Sequence, residues 1–204
     1  PDYTQALIIL IIWLTLIFMS GINLIIIFLA VSIIISCMIF ILFFFKENFS
    51  YIFIRFEKWI DNDNISYQSE KSLDAIQFGG FFGKGIGEGI LKEKIPEAHT
   101  DYILAAISEE YGIISIILIL LIIFFLFMRV FAICQREISN FKKYSLITLS
   151  TLVLIQVFIN VGVTINLIPP TGMPFSFVSY GGSSIITSSF IMGIILSLTK
   201  EKYL

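Results

Sequence analysis

Long apolar runs separated by polar stretches dominate this chain of 204 residues. Five of the runs approach or exceed the ~20 residues that a helix needs to cross a bilayer. The apolar residues are continuous rather than alternating, which favours helices over strands, and helices satisfy their own backbone polar groups in lipid. The pattern predicts an all-α polytopic membrane protein with one membrane domain and about five transmembrane helices. The predicted spans are Thr4–Ser20, Ile22–Phe45, Tyr102–Met128, Tyr144–Ile165 and Ser184–Thr199.

The longest polar stretch, residues 46–101, is predicted to be a loop that contains short helices. An amphipathic helix over Phe49–Ile60 would lie at the membrane interface. The turn-forming run Asp61–Asn64 would end it. A second short helix is predicted over Lys71–Phe82, and the segment Gly79–Gly89 is rich in glycine.

Charge sets the predicted orientation of the spans. The segment from Arg129 to Lys143 and the C-terminal tail beginning at Lys200 both carry more basic than acidic residues. Basic loops stay in the cytoplasm, so both segments are predicted to be cytoplasmic. The 46–101 loop is more acidic than basic, and residues 165–183 carry no charge. We therefore expect these two segments on the extracytoplasmic face, which agrees with alternation across five spans.

Composition supports a membrane protein and argues against one class of partner. Hydrophobic residues make up 57% of the chain and charged residues 14%, and the mean hydropathy is +0.96. The net charge of −2 argues against a nucleic-acid partner, which would need a basic patch. Cys37 and Cys134 have no spacing typical of a disulfide framework or a metal site. Because the chain begins with Pro1 and Asp2, we expect that an N-terminal portion is missing.

A titratable cluster stands where the 46–101 loop meets the third apolar run. Glu97 and Asp101 bracket His99, the only histidine of the chain, just before a predicted helix start that would attract anions. A carboxylate there can accept a proton from a hydroxyl nucleophile, while its surroundings receive an anionic leaving group. The structural alternative is that Thr100 and Asp101 cap the helix that begins near Tyr102.

Two further acids, Glu109 and Glu110, lie within the same apolar run and are the predicted intramembrane acidic residues. Glu109 would lie about 12 Å beyond Asp101 along a helix. A charge at the bilayer centre costs about 2.5–3.5 kcal/mol, so at least one of the two should face the bundle interior with a partner or water. Since no Lys or Arg lies within the five runs, we expect that partner outside this sequence.

The glycine-rich segment around Lys84 invites comparison with phosphate-binding loops. A Walker A motif fails, because Phe78 occupies the first glycine position and Gly85 stands where Ser or Thr is needed. A weaker functional hypothesis remains, in which Lys84 and open backbone amides meet a phosphate. The alternative is a flexible or tightly turned loop.

The last loop, residues 166–184, is apolar and uncharged and contains three prolines that exclude a regular helix at its start. We predict a re-entrant segment that dips into the bundle, where irregular backbone is tolerated against protein or a wet cavity. Its second half offers hydroxyls and free amides at a helix start. The alternative is a tight packing turn. The candidate substrate-binding residues here are Ser179, Tyr180, Gly181, Gly182 and Ser183.

Together these motifs resemble the SEDS proteins (shape, elongation, division and sporulation). The resemblance runs in order over nearly the whole chain, and it is stronger to the division members than to the elongation members. It is carried by Asp2, Ser72–Ile76, Gly79–Gly85, Gly87–Gly89, Pro96–Asp101, Glu109 with Glu110, Pro170–Pro174 and Val178–Ser184.

The resemblance implies the C-terminal half of a ten-helix SEDS fold in the bacterial cytoplasmic (inner) membrane. It implies a peptidoglycan glycosyltransferase that polymerises lipid II on the outer face of that membrane during cell division and cell wall biogenesis. A class B penicillin-binding protein and other divisome components are the implied partners. The aspartate that the family needs for polymerisation matches Asp101.

The expected mechanism has Asp101 as the general base on the 4-hydroxyl of one lipid II disaccharide. The activated oxygen attacks the anomeric carbon of the other substrate and expels undecaprenyl diphosphate with inversion. Departure of the diphosphate needs positive charge, from a divalent cation such as Mg²⁺ or Mn²⁺, from Lys84 or from protonated His99. The ligands of such a cation are not assigned, and no other cofactor is expected.

Other functions remain open at this point. A lipid II flippase or transporter would also need intramembrane carboxylates and outward-facing polar loops. A non-catalytic scaffold for a class B penicillin-binding protein is the third possibility. A role in elongation rather than division is the alternative within the family.

Overall fold

The computed structural model describes residues 3–44, 50–60 and 67–200, and its contacts group the chain into two compact units, residues 1–65 and 66–204. The first unit contains α1 (Tyr3–Met19), α2 (Leu24–Phe44) and α3 (Ser50–Ile60). The second contains α4 (Tyr67–Gly79), α5 (Ile103–Tyr111), α6 (Ile113–Arg136), α7 (Asn140–Thr164) and α8 (Gly182–Thr199). The described residues contain no strand, as the continuous apolar runs predict.

In the first unit, α1 and α2 are apolar on all sides, whereas α3 is amphipathic. The predicted amphipathic helix is thus present as α3 over residues 50–60, and its position at the membrane interface stays a prediction. The predicted turn at Asp61–Asn64 and the motif residue Asp2 lie outside the described residues.

Four helices of the described chain are long and apolar enough to cross a membrane: α6, α7, α8 and the Leu24–Ile41 part of α2. The remaining predicted span, Thr4–Ser20, corresponds to α1, which is apolar but has 17 residues. Segments chosen for their hydropathy alone therefore match the helices of the structure closely, with one exception.

The stretch predicted as a single span over 102–128 is two helices, α5 and α6, which meet at Gly112. This glycine has φ +81°, a backbone conformation that ends α5 and restarts the chain as α6. A side chain could not fit here, since a Cβ would lie 2.1 Å from the backbone oxygen of Phe81. The amide of Ile113 donates to the carbonyl of Gly80 (3.0 Å), so the turn after α4 occupies the break.

In the second unit, α6, α7 and α8 pack side by side as successive antiparallel neighbours. One apolar cluster joins Cys134, Leu146, Ile191 and Ile195 at the end where α6 finishes and α7 begins. A second cluster of Leu104, Val157 and Phe175 lies at the other end. The start of α6, the end of α7 and the start of α8 therefore share one end of the bundle, and this end carries α5.

Residues 165–181 join α7 to α8 without regular helix, as their prolines predict. The segment nevertheless packs inward, because Met173, Phe175, Ser176 and Ser179 are buried. Beside it, residues of α6, α7 and α8 line an open apolar cavity of about 630 Å³, which extends from residues 176–178 to Ile133 and Thr199.

Candidate functional site

Three successive backbone carbonyls hold the turn that carries Asp101. The carbonyl of His99 accepts from the amide of Tyr180 (2.9 Å), and that of Thr100 accepts from the Ser179 hydroxyl (2.5 Å). The carbonyl of Asp101 accepts from the side-chain amide of Asn160 (2.9 Å). The turn is thus fixed through its main chain by α7 and by the segment that leads into α8.

Asn160 is the residue that brings the two loops together. It is 1% exposed, and its Nδ2 also donates to the carbonyl of Met173 (2.8 Å). One side chain on α7 thereby joins the turn before α5 to the Pro170–Pro174 motif. Its Oδ1 atom is buried without a hydrogen-bond partner in the described part of the chain.

The Asp101 carboxylate has no hydrogen bond or ion pair to any residue that the structure describes. Burial, together with repulsion from Glu97, raises the pKa of this carboxyl above its ordinary value of 3.8. Gly172 faces it closely enough that a Cβ there would lie 3.7 Å from Oδ2. A half-buried carboxylate without a partner is available to take a proton from a ligand.

The capping alternative for Thr100 and Asp101 is wrong. The N-cap of α5 is Tyr102, and no side chain that the structure describes caps this helix. The Thr100 hydroxyl instead donates to the Glu97 carboxylate (2.7 Å) and also contacts the Glu97 carbonyl at 3.2 Å. That carbonyl also accepts from the amides of Thr100 and Asp101 (both 3.1 Å), so the turn closes on Glu97, which has φ +61°. The Asp101 side chain is left without a capping role.

The residues predicted at the start of α8 lie beside this turn. Ser179 is buried; besides its bond to Thr100, its Oγ accepts from the amide of Phe175 (2.7 Å). Tyr180 is 83% exposed, and α8 begins at Gly182, so Ser183 lies in the first helical turn. The structure therefore brings Glu97, His99 and Asp101 together with the 179–183 segment at one end of the bundle.

Glu109 and Glu110 lie at the opposite end of α5, about 12 Å from Asp101 along the helix axis. Glu109 is fully buried and accepts from the amides of Leu91 (2.7 Å) and Lys92 (2.6 Å). Glu110 forms an ion pair with Lys92. The expectation that their partner lies outside this sequence is wrong, because the loop before the Asp101 turn supplies it.

Lys84 lies beside Glu109 and Glu110 rather than beside Asp101. Its amide donates to the carbonyl of Glu109 (2.9 Å), and the amides of Gly85 and Gly87 also donate to Glu110. These amides are therefore not open to a phosphate, and the tightly turned loop is the arrangement found. The Lys84 ammonium lies over the Phe78 ring, 4.4 Å from its centroid.

The Glu97 and Asp101 carboxylates supply hard oxygen donors just before the start of α5. The described residues contain no group of three or more side chains able to hold a metal ion. Two carboxylates completed by substrate phosphate oxygens are a typical environment for Mg²⁺. Glu97 and Asp101 could therefore supply part of the coordination of a cation that also binds phosphate oxygens.

Two residues that hold this site together, Asn160 and Gln156, are not among those predicted from the sequence. Asn160 was hidden in an apolar run, although a lone carboxamide in a membrane helix is itself a signal that it bonds something. Gln156, one turn earlier on α7, accepts from the buried Ser176 hydroxyl (2.6 Å) and holds the same segment.

Comparisons with known proteins agree with the motifs. The family model of FtsW, RodA and SpoVE, described as "Cell cycle protein", matches residues 1–204. A "Probable peptidoglycan glycosyltransferase FtsW" of Enterococcus hirae is 36% identical over 160 residues, covering 78% of this chain and 40% of the relative. A protein of the same name from Buchnera aphidicola subsp. Baizongia pistaciae is 35% identical over 205 residues, covering 98% of this chain and 54% of the relative.

A solved structure has the same fold. It is described as "Structural coordination of polymerization and crosslinking by a peptidoglycan synthase complex", and it aligns with a TM-score of 0.75 at 22% identity, covering 100% of this chain and 57% of that chain. The chain thus spans about half the length, or less, of the curated relatives that it matches. The match along its whole length shows that this multi-pass membrane protein belongs to the FtsW/RodA/SpoVE family of cell cycle proteins, the SEDS family that its motifs resemble.

Proposed function

We propose that this chain carries the proton-accepting site of a peptidoglycan glycosyltransferase that polymerises lipid II, with Asp101 as the general base. The observation that carries the proposal is the unpaired, half-buried Asp101 carboxylate, held in place through three backbone carbonyls. A base works best when its pKa approaches the working pH, and the raised pKa of Asp101 moves in that direction.

In the proposed reaction, Asp101 takes the proton from the 4-hydroxyl of the acceptor sugar. The oxygen forms a bond to the anomeric carbon of the donor, and the bond from that carbon to the diphosphate breaks. Undecaprenyl diphosphate leaves with the electron pair and the configuration inverts. General-base assistance of this kind is typically worth about 10²–10⁴-fold in rate.

The departing diphosphate needs positive charge and hydrogen-bond donors. His99 and the first turn of α8 are proposed to meet it, since both adjoin the Asp101 turn. Lys84 is less suited to this role, because its backbone is bound at the far end of α5. A bound Mg²⁺ or Mn²⁺ would supply further positive charge, with Glu97 as its protein ligand, because Asp101 needs a free oxygen to accept the proton.

The biological setting is inferred from the relatives. They carry the name FtsW, which favours cell division over elongation. We propose lipid II as the substrate, a class B penicillin-binding protein and other divisome components as partners, and the bacterial inner membrane as the location. The Asp101 end of the bundle would face outward and the C-terminus inward. The apolar cavity beside residues 176–178 offers space for an isoprenoid chain.

The test is glycan synthesis by the intact protein, reconstituted in liposomes with its partner penicillin-binding protein and supplied with lipid II. Asp101→Asn should lower the rate of chain growth by about 10²-fold or more. Asp74→Asn is the matched control, because Asp74 lies on α4 and pairs with Lys71 (2.7 Å). Its rate should match the wild type.

Other outcomes would favour the other functions. Growth of glycan chains by Asp101→Asn at the wild-type rate would remove the base assignment. Labelled lipid II crossing the vesicle membrane without chain growth would indicate a flippase. Partner binding by a wild-type protein that never polymerises would indicate a scaffold.

A further inference from the structure

The last turn of α5 holds the loop that precedes the Asp101 turn by six interactions. The amides of Lys84 and Gly85 donate to the backbone carbonyls of Glu109 and Glu110 at 2.9 and 3.1 Å. The two carboxylates take the other four partners, which are the amides of Gly87, Leu91 and Lys92 and the Lys92 ammonium. We name the α5 latch the set formed by Glu109, Glu110 and the five residues that they bind, namely Lys84, Gly85, Gly87, Leu91 and Lys92.

Glu109 is the central residue of the latch. Its side chain is fully buried, and each of its oxygens accepts one amide, at 2.7 and 2.6 Å. A buried carboxylate needs such partners, because an unpaired charge in this position would be strongly unfavourable. With both oxygens occupied by main-chain donors, Glu109 is a structural acceptor rather than a base.

The latch lies just before the residues of the proposed site. Lys92 begins a single 3₁₀ turn that ends at Lys94, and Ile95 is buried. The turn on Glu97 follows, and Asp101 then leads back into α5. The segment from Lys92 to Asp101 is therefore anchored at both of its ends by the same short helix.

We propose that Glu109 and Glu110 are positioning residues for catalysis, which act through the α5 latch to fix the place of the Asp101 carboxylate. This inference rests on the proposed function of Asp101. A misplacement of about 1 Å in a catalytic group can lower a rate by about 10²-fold, so a loosened latch should slow the chemical step without weakening substrate binding.

The test compares Glu109→Gln with Glu88→Gln in the intact, reconstituted protein. Glutamine keeps the size of Glu109 but turns one acceptor into an NH₂ donor that faces a backbone N–H. Glu88 is the matched control, because it lies in the same loop with an exposed side chain. Glu110→Gln is a milder variant, since it loses the charge that pairs with Lys92 and keeps an acceptor for Gly87.

Two measurements are made on each variant. Hydrogen exchange reports on the amides of Leu91 and Lys92, and should become faster in Glu109→Gln and stay unchanged in Glu88→Gln. Kinetics with lipid II should show kcat lowered by about 10²-fold in Glu109→Gln with KM within a few-fold of the wild type. Glu110→Gln should lie between these two variants in both measurements.

The most informative experiment combines Glu109→Gln with Asp101→Asn in a double variant. If the latch acts through Asp101, the double variant should be no slower than Asp101→Asn alone. A full further loss in the double variant, or Glu109→Gln kinetics equal to those of Glu88→Gln, would overturn the inference. Absence of polymerisation by the wild type would instead refute the proposed function, and the exchange measurement would still show whether Glu109 holds the loop.

Discussion

The two ends of α5 carry acidic residues in opposite circumstances. At the C-terminal end, both oxygens of Glu109 and one oxygen of Glu110 are bound by backbone amides or by Lys92. At the N-terminal end, the Asp101 carboxylate has neither a hydrogen bond nor an ion pair to the described residues, although the main chain around it is firmly held. The same functional group is thus a structural acceptor at one end and free for chemistry at the other.

This contrast shows which observation separates a structural acid from a reactive one. Both ends bring carboxylates together in a largely apolar protein, so position alone does not distinguish them. The difference lies in the number of donors that each carboxylate already meets. The pKa directions follow it, because the Lys92 bond lowers that of Glu110 while burial raises that of Asp101.

The largest expected effect comes from removing the side chain that holds the Asp101 end. Asn160→Ala removes the donor to the buried carbonyl of Met173 and to the partly buried carbonyl of Asp101, which should lower the free energy of unfolding by about 2–5 kcal/mol. Gln156→Ala, on the same helix, loses a single bond to Ser176 and should cost about 1 kcal/mol. Thermal and denaturant unfolding in detergent would measure both. Equal losses would contradict the central role of Asn160.

A second prediction concerns the close packing of α4 against the C-terminal end of α5. A Cβ at Gly79 would lie 2.1 Å from the backbone oxygen of Ser108, so Gly79→Ala should destabilise the protein by about 1–3 kcal/mol. Gly193→Ala is the control, because a Cβ there meets nothing within 4 Å on α8. It should be neutral or slightly stabilising, as alanine favours a helix. Similar unfolding midpoints for the two variants would show that α4 and α5 do not pack this closely.

The smallest expected effect is a difference in pH dependence between Glu110 and Asp101, which lie at the two ends of α5. The folded pKa of Glu110 is lowered from 4.5, so its stabilisation is present above that value and is lost as pH falls through the lowered one. The folded pKa of Asp101 is raised above 3.8, so this carboxyl takes up its proton at a higher pH, which favours the folded state and removes the base.

On acidification, glycan synthesis should therefore fall before the latch opens. Initial rates and hydrogen exchange at Gly87, measured at the same series of pH values from 7 downwards, would test the order. The residual rate of glycan synthesis by Asp101→Asn should also lack this fall at low pH. Loss of rate and loss of protection at one common pH would contradict the assignment of separate groups.

Much of the fold could be predicted from hydropathy, because a membrane span must be long and apolar whatever its neighbours are. The helices α2, α7 and α8 follow the predicted runs within a few residues. The break at Gly112 could not be predicted in this way, since the run on both sides is apolar. It depends on the turn after α4, whose carbonyls receive the first amides of α6, and hydropathy contains no information about that contact.

The site was predicted in part. The motif around Asp101 and the 179–183 segment were both selected from their residue types, and the structure places them side by side. Lys84 was grouped with them, although main-chain bonds hold it at the other end of α5. Residue types give candidates for charge and hydrogen bonding, but which amides are already engaged depends on contacts between segments far apart in the sequence. For the same reason, the partners of Glu109 were sought elsewhere.

The carbonyls of His99, Thr100 and Asp101 accept hydrogen bonds from Tyr180, Ser179 and Asn160, and these bonds involve only the main chain of the turn. Any amino acid offers the same carbonyl, so folding places little demand on the identity of residues 99 and 101. Among related proteins, the residues tolerated at these two positions should therefore be limited by the reaction rather than by folding. Variation at 160 and 179 should record selection for architecture.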